Sequence, residues 1–180
     1  MAPFTKLRRF AYVAGMGAIN LLLAIAPFNA LRLLILKAVG VKCGHHVTIE
    51  RGIRLDFPWR LTIGENCYIS KRVYFDCRGG SIIIGESCDI SEDALIYTLS
   101  HDIQSWDFCV KSGDVLIGKR CWICVRAIVL PGTRIGVGSV LSSNSVYSGI
   151  SSDFSLLVGN PAKPVKLLNS NRASIVRQRS

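Results

Sequence analysis

Apolar residues recur through the middle of the chain every six positions. That spacing fits neither the 3.6-residue turn of an α-helix nor the alternation of one long strand. Ile-Gly pairs, or a near equivalent, stand at Cys43-Gly44, Ile63-Gly64, Ile84-Gly85, Ile117-Gly118 and Ile135-Gly136. Stepping six residues twice from each gives the triplets Cys43, Ile49, Leu55; Ile63, Ile69, Phe75; Ile84, Ile90, Ile96; Ile117, Ile123, Val129; and Ile135, Leu141, Tyr147, all apolar. Two residues before the later members stand small or aliphatic residues: Val47, Ile53, Cys67, Val73, Cys88, Ala94, Cys121, Ala127, Ser139 and Ser145. A period of six taken three at a time describes an 18-residue coil of three short strands, each pointing one large side chain inward and bending at a small one. Such a coil cannot bury its face alone. Coils therefore stack about 4.8 Å apart, and five of them make a prism roughly 24 Å tall. The pattern predicts an all-β parallel β-helix of about five coils over residues 41–168.

Two stretches break the rhythm. Successive glycines of the pairs lie 20, 21, 33 and 18 residues apart, so one coil carries fifteen residues beyond the 18 it needs. The excess is a loop over 97–116, between Ile96 and Ile117, and insertions on a rigid solenoid are where function concentrates. His101 is its only histidine. Ahead of the repeat, residues 10–31 carry no charge. As one helix they would run about 33 Å, enough to cross a bilayer. Asn20, Pro27 and Asn29 interrupt them, and Lys6, Arg8 and Arg9 before and Arg32 and Lys37 after leave orientation unset, which favours a helical hairpin. Residues 1–40 thus form an N-terminal apolar helical segment with three uses open: capping the exposed first coil or packing on a subunit, lying on a membrane surface, or spanning the membrane. No small-residue cleavage site follows, which argues against a removed signal peptide. Residues 169–180 form a basic C-terminal tail.

Composition narrows the partners. The chain has 180 residues, 49% hydrophobic and 19% charged, which excludes disorder and suits one domain with appendages. Its net charge of +10 calls for an anionic partner. Nucleic acid would need a basic stripe interleaved with aromatics, or a reading helix, and neither is present, so cofactor phosphates or lipid headgroups fit better. The seven Cys include one C-x-x-C, Cys121 to Cys124, with no second pair to complete a zinc site, and suit a reducing cytosol. Cys67, Cys88 and Cys121 occupy one corner of three successive coils and read as stacked small core residues. His45 and His46 lie about two coils, or 10 Å, below the turn that launches His101, too far to share a zinc ion, so no metal is expected.

These repeats, the triplet Ser100-His101-Asp102 in the insertion, the run IGKRCWICVRAIVLPGTRIGVGSVL and the exit VGNPAKPVK resemble the hexapeptide-repeat acyltransferases of the sugar and polysaccharide O-acetyltransferase type. The resemblance covers about residues 40–168. It implies a left-handed coil, a homotrimer with active sites between subunits, acetyl-coenzyme A as co-substrate and a saccharide or glycan-precursor acceptor; acyl-coenzyme A chemistry places the protein in the cytoplasm, with association at the inner face of the cytoplasmic membrane through residues 10–31 left open. By position it implies His101 as catalytic base and Asp76 on the acceptor side, where Asp102 either orients the imidazole or starts a turn and Trp106 either stacks on a sugar ring or packs on a neighbouring subunit. On the donor side it implies Trp122, Cys124, Val125, Ser143, Ser148, Lys163 and Lys166. The chemistry suits a lone histidine. An imidazole, titrating near about 6.5 when unperturbed, can take a hydroxyl proton as the oxygen attacks a thioester, and the thiolate leaves with little acid assistance. Ser70 stands where many of these enzymes have Asn, Val125-Arg126 replaces small residues, and Ser148-Gly149 replaces a Thr-Lys pair. These departures leave a non-catalytic trimeric scaffold with a decayed donor site as the alternative.

Overall fold

A computed structural model describes residues 6–169, and the basic tail expected over 169–180 lies from residue 170 onward outside them. Three parallel sheets form the sides of a triangular prism. The first face stacks Lys42–Cys43, Leu61–Ile63, Ile82–Ile84, Val115–Ile117 and Arg134–Ile135. The second stacks Thr48–Ile49, Tyr68–Ile69, Asp89–Ile90, Trp122–Ile123, Val140–Leu141 and Ser155–Gly159, and closes with the antiparallel Ala162–Leu167. The third stacks Arg54–Asp56, Tyr74–Asp76, Leu95–Tyr97, Ile128–Val129 and Val146–Tyr147. Five coils result, as the six-residue period requires.

The register is the register of the repeat. Ile63 pairs with Ile84, Ile84 with Ile117 and Ile117 with Ile135, so each position of one triplet sits on its counterpart in the next. Fourteen of the fifteen triplet positions are buried, Cys43 at the open end being half-buried, and all ten corner positions are buried beside them. The Ile-Gly glycines are needed for close approach. A Cβ on Gly85 would lie 2.7 Å from the Lys119 nitrogen, and one on Gly118 2.8 Å from the Val137 nitrogen. Cys67, Cys88 and Cys121 do stack at one corner, where their thiols donate to the carbonyls of Gly85, Gly118 and Gly136 at 3.1, 3.0 and 3.1 Å. They are core residues with their hydrogens spoken for.

The N-terminal segment forms two helices, α1 (Lys6–Ile25) and α2 (Asn29–Ala38), parted at Pro27. The side-chain amide of Asn20 accepts from Leu55 N at 3.0 Å and donates to Leu55 O at 3.1 Å. Asn29 accepts from Ile49 N at 2.8 Å and donates to Val47 O at 3.0 Å. Both amides thus pair with the first coil as the backbone of a further coil would. Arg32, buried, donates to Ile49 O at 2.7 Å and Ala26 O at 2.6 Å, and Tyr12 Oη accepts from Phe57 N at 2.9 Å. The polar residues that interrupt the apolar run are the ones that close the open sheet edge. Among the described residues no helix is long and apolar enough to cross a membrane.

Candidate active site

The insertion leaves the third coil at the corner between the third and first faces and rises as an antiparallel arm. Leu99–His101 pairs with Val110–Ser112, with His101 opposite Val110 at its outer end. Phe108 adopts the left-handed region, φ 53°, which turns its carbonyl back toward the arm. His101 Nδ1 lies 2.6 Å from that carbonyl oxygen, and the Phe108 ring stands edge-on to the imidazole with centroids 6.4 Å apart. A carbonyl oxygen only accepts, so the proton of the neutral imidazole sits on Nδ1 and the lone pair on Nε2. The ring is exposed, and Nε2 is the nitrogen able to take a proton from outside.

The other acceptor-side residues lie in different settings. Asp102 Oδ1 accepts from Gln104 N at 3.0 Å, and its own amide donates to Cys109 O, so it closes the turn of the arm while Phe108 orients the histidine. Trp106, at the tip, is 100% exposed. Asp76 is 0% exposed, and both its oxygens are gripped by Arg78, from Nε at 2.8 Å and from the second guanidinium nitrogen at 2.7 Å. Its carboxylate is out of reach of a ligand, and what it presents to solvent is the half-exposed guanidinium of Arg78. Arg78 carried no sequence signal, because nothing in the repeat reports a partner two residues away at a corner. The amide of Gly79, next to it, donates to Thr98 Oγ1 at the base of the arm.

Three of the seven donor-side candidates, Trp122, Lys163 and Lys166, share one column of the second face or its margin. Trp122 pairs with Val140, Val140 with Leu156, and Leu156 with Lys166, while Val158 beside them pairs with Lys163. Ile123, Leu141 and Leu157 are fully buried, so by strand alternation Trp122, Val140 and Leu156 point away from the core, Trp122 exposed, Leu156 half-buried and Val140 covered to 7% exposure. The result is an apolar track of about 14 Å, three strand spacings long, running from an indole to two exposed lysines. Trp122 is 44% exposed and held in place by its Nε1–H donating to Ser91 Oγ at 2.8 Å. Such a track suits a long thin ligand with an apolar middle and anionic end. Cys124 is buried, whereas Val125 and Ser143, at the corner between the second and third faces, and Ser148, at the corner between the third and first, are exposed and off this column.

His101 and the track of one chain lie on opposite sides of the prism: the arm leaves at the corner that faces away from the second face. A core about 10 Å thick separates them. A shallow cavity of about 600 Å³ at the second corner, walled by Arg54, Arg72, Asp93 and Arg126, includes neither. His45 and His46 are exposed on the first coil with ring centroids 6.5 Å apart. No group of three or more His, Cys, Asp or Glu side chains able to hold a metal ion occurs among the described residues.

No family model matches the chain. It is 31% identical over 136 residues to the acetyltransferase of colanic acid biosynthesis named WcaF in Escherichia coli (strain K12), a match covering 75% of this chain and 74% of the relative. The hexapeptide-repeat acetyltransferase of Vibrio cholerae O1 biovar eltor, solved in complex with acetyl-coenzyme A, superposes with a TM-score of 0.80 at 22% identity, covering 92% of this chain and 91% of that one. A maltose O-acetyltransferase of Clostridium difficile 630 superposes with a TM-score of 0.81 at 23% identity, covering 92% and 90%. At those identities the two structures speak for the fold, and the sequence match speaks for the family.

Proposed function

Because this chain belongs to the hexapeptide-repeat acetyltransferases, we propose that it transfers acetyl from acetyl-coenzyme A to a saccharide hydroxyl, with His101 as general base. The observation that carries the catalytic half is the bond between His101 Nδ1 and the Phe108 carbonyl, which leaves Nε2 as the basic atom. In the reaction Nε2 takes the proton of the acceptor hydroxyl as its oxygen bonds to the thioester carbonyl carbon. The carbon–sulfur bond then breaks, and the departing thiolate recovers the proton from the imidazolium. No covalent enzyme intermediate is needed.

The track from Trp122 to Lys166 is the proposed donor site, with the indole nearest the reacting end and Lys163 and Lys166 near the phosphates. Since that track and His101 face opposite ways on one chain, the site forms between copies, His101 of one meeting the track of the next. A homotrimer is the arrangement proposed, a closed ring of such head-to-tail contacts. On the acceptor side, Asp76 acts through Arg78, whose guanidinium is positioned at the base of the arm to hold sugar hydroxyls or an anionic sugar substituent. The saccharide is a surface polysaccharide or its precursor, by analogy with the colanic acid relative, and the reaction belongs in the cytoplasm, where acetyl-coenzyme A is supplied, at the inner face of the membrane. Release of free thiol from acetyl-coenzyme A in the presence of nucleotide sugars and oligosaccharides tests this, wild type against His101→Ala. Calorimetry showing no binding of acetyl-coenzyme A would instead favour a trimeric scaffold.

A further inference from the structure

We infer that the outer face of α1 and α2 is a docking surface for an anionic lipid bilayer, on which the β-helix stands by the end that carries its first coil. The inference deepens the location proposed above and does not depend on the chemistry at His101.

Helix α1 is apolar on both sides. Met16 and Leu23 are buried against the prism, while Phe10, Leu21 and Ile25 lie on the opposite side at helical spacing. Phe28, before α2, and Leu31 and Leu34 within it continue the surface at intervals of three. These six side chains are between 41% and 72% exposed. A soluble surface rarely leaves so much contiguous aliphatic and aromatic area uncovered without a partner.

Charge selects the partner. No Asp or Glu occurs before Glu50, whereas Lys6, Arg8, Arg9, Arg32, Lys37 and Lys42 all do. Arg32 is consumed in capping the first coil, but Lys6 and Arg8 on α1, Lys37 on α2 and Lys42 on the strand that follows are exposed. A second copy docked by the same face would set two surfaces of one sign against each other, with no acidic residue to pair. Anionic headgroups would meet the lysines and arginines while the apolar side chains enter the headgroup–acyl boundary, which is how helices that lie on membranes bind. Asn20, Asn29 and Arg32 face the prism, so the polar groups of the pair are already satisfied when the outer face enters lipid.

The test is flotation of the full chain with vesicles of equal parts phosphatidylglycerol and phosphatidylcholine, and with phosphatidylcholine alone. The expected result is binding to the anionic vesicles, weaker to the neutral ones and weaker with added salt. Leu21→Glu with Ile25→Glu alters exposed positions only, and should lower vesicle binding by about tenfold or more. Arg8→Glu with Lys37→Glu should do so on anionic vesicles alone. Circular dichroism and acetyl-coenzyme A binding, both unchanged, report that the fold and donor site survive. Wild type that stays with the soluble fraction, double variants that float as wild type does, or lipid-free self-association abolished by the Leu21/Ile25 pair would each overturn the inference, while leaving the acetyltransferase reading standing.

Discussion

At His101 a single hydrogen bond decides which nitrogen can act, and its acceptor is a backbone carbonyl that the sequence does not advertise. The histidine itself was legible because it sits alone in the one insertion, yet its orienting partner depends on the left-handed backbone of Phe108. Asp102, its chain neighbour, is spent on the turn, and Asp76 is spent on Arg78, so two residues placed by position alone have partners that position could not show. His101→Ala should lower turnover by about a hundredfold to ten-thousandfold. It removes an exposed ring, so unfolding free energy should stay within about 1 kcal/mol of wild type by urea denaturation. A second residue-scale expectation concerns pH. Burial pushes the Cys77 thiol up to about 12, with the Asp76 charge adding to it, and burial also raises Cys43, Tyr12 and Tyr74. An unfolded thiol ionises near about 8.5, so the stability these groups contribute is intact below that pH and declines as pH rises toward about 12. Urea midpoints should therefore fall between pH 8 and pH 10, and Cys77→Val should flatten the decline. An unchanged slope in that variant would remove Cys77 from the account.

Among elements, the coils were the most legible and the arm the least. The six-residue period survives because each buried position contacts its equivalent one coil away, so the pattern is a direct image of the stacking. Between Leu99 and Ser112 the chain pairs only with itself, and the hairpin of Leu99–His101 with Val110–Ser112 left no periodic trace. The helices are intermediate. Pro27 marked the break correctly, but Asn20 and Asn29 act as a surrogate strand for Ile49 and Leu55. Arg32→Ala removes two charge-assisted bonds and leaves Ile49 O and Ala26 O short of donors, at a cost of about 2–4 kcal/mol. Thermal unfolding should show a lowered Tm for that variant. Gly85→Ala should also destabilise, by about 1–3 kcal/mol, because its methyl would press on the Lys119 backbone.

For the whole molecule, the decisive feature is that the arm and the Trp122 track point away from each other. The coil count contains that fact: His101 follows the third strand of one coil, and Trp122 lies on the second strand of the next, so the prism separates them. It becomes compelling once Trp122, Val140, Leu156 and Lys166 are seen in one column. If the active site lies between copies, two crippled chains can repair each other. His101→Ala supplies an intact track, and a track variant such as Trp122→Ala with Lys166→Glu supplies an intact histidine. Dissociating and reassembling the two in equal amounts gives mixed trimers that each hold one complete site, which restores about a quarter of wild-type acetyl transfer. Activity of the reassembled mixture is the measurement. Recovery near that fraction is the predicted result, and a mixture no more active than the average of its two parents would contradict a site shared between chains.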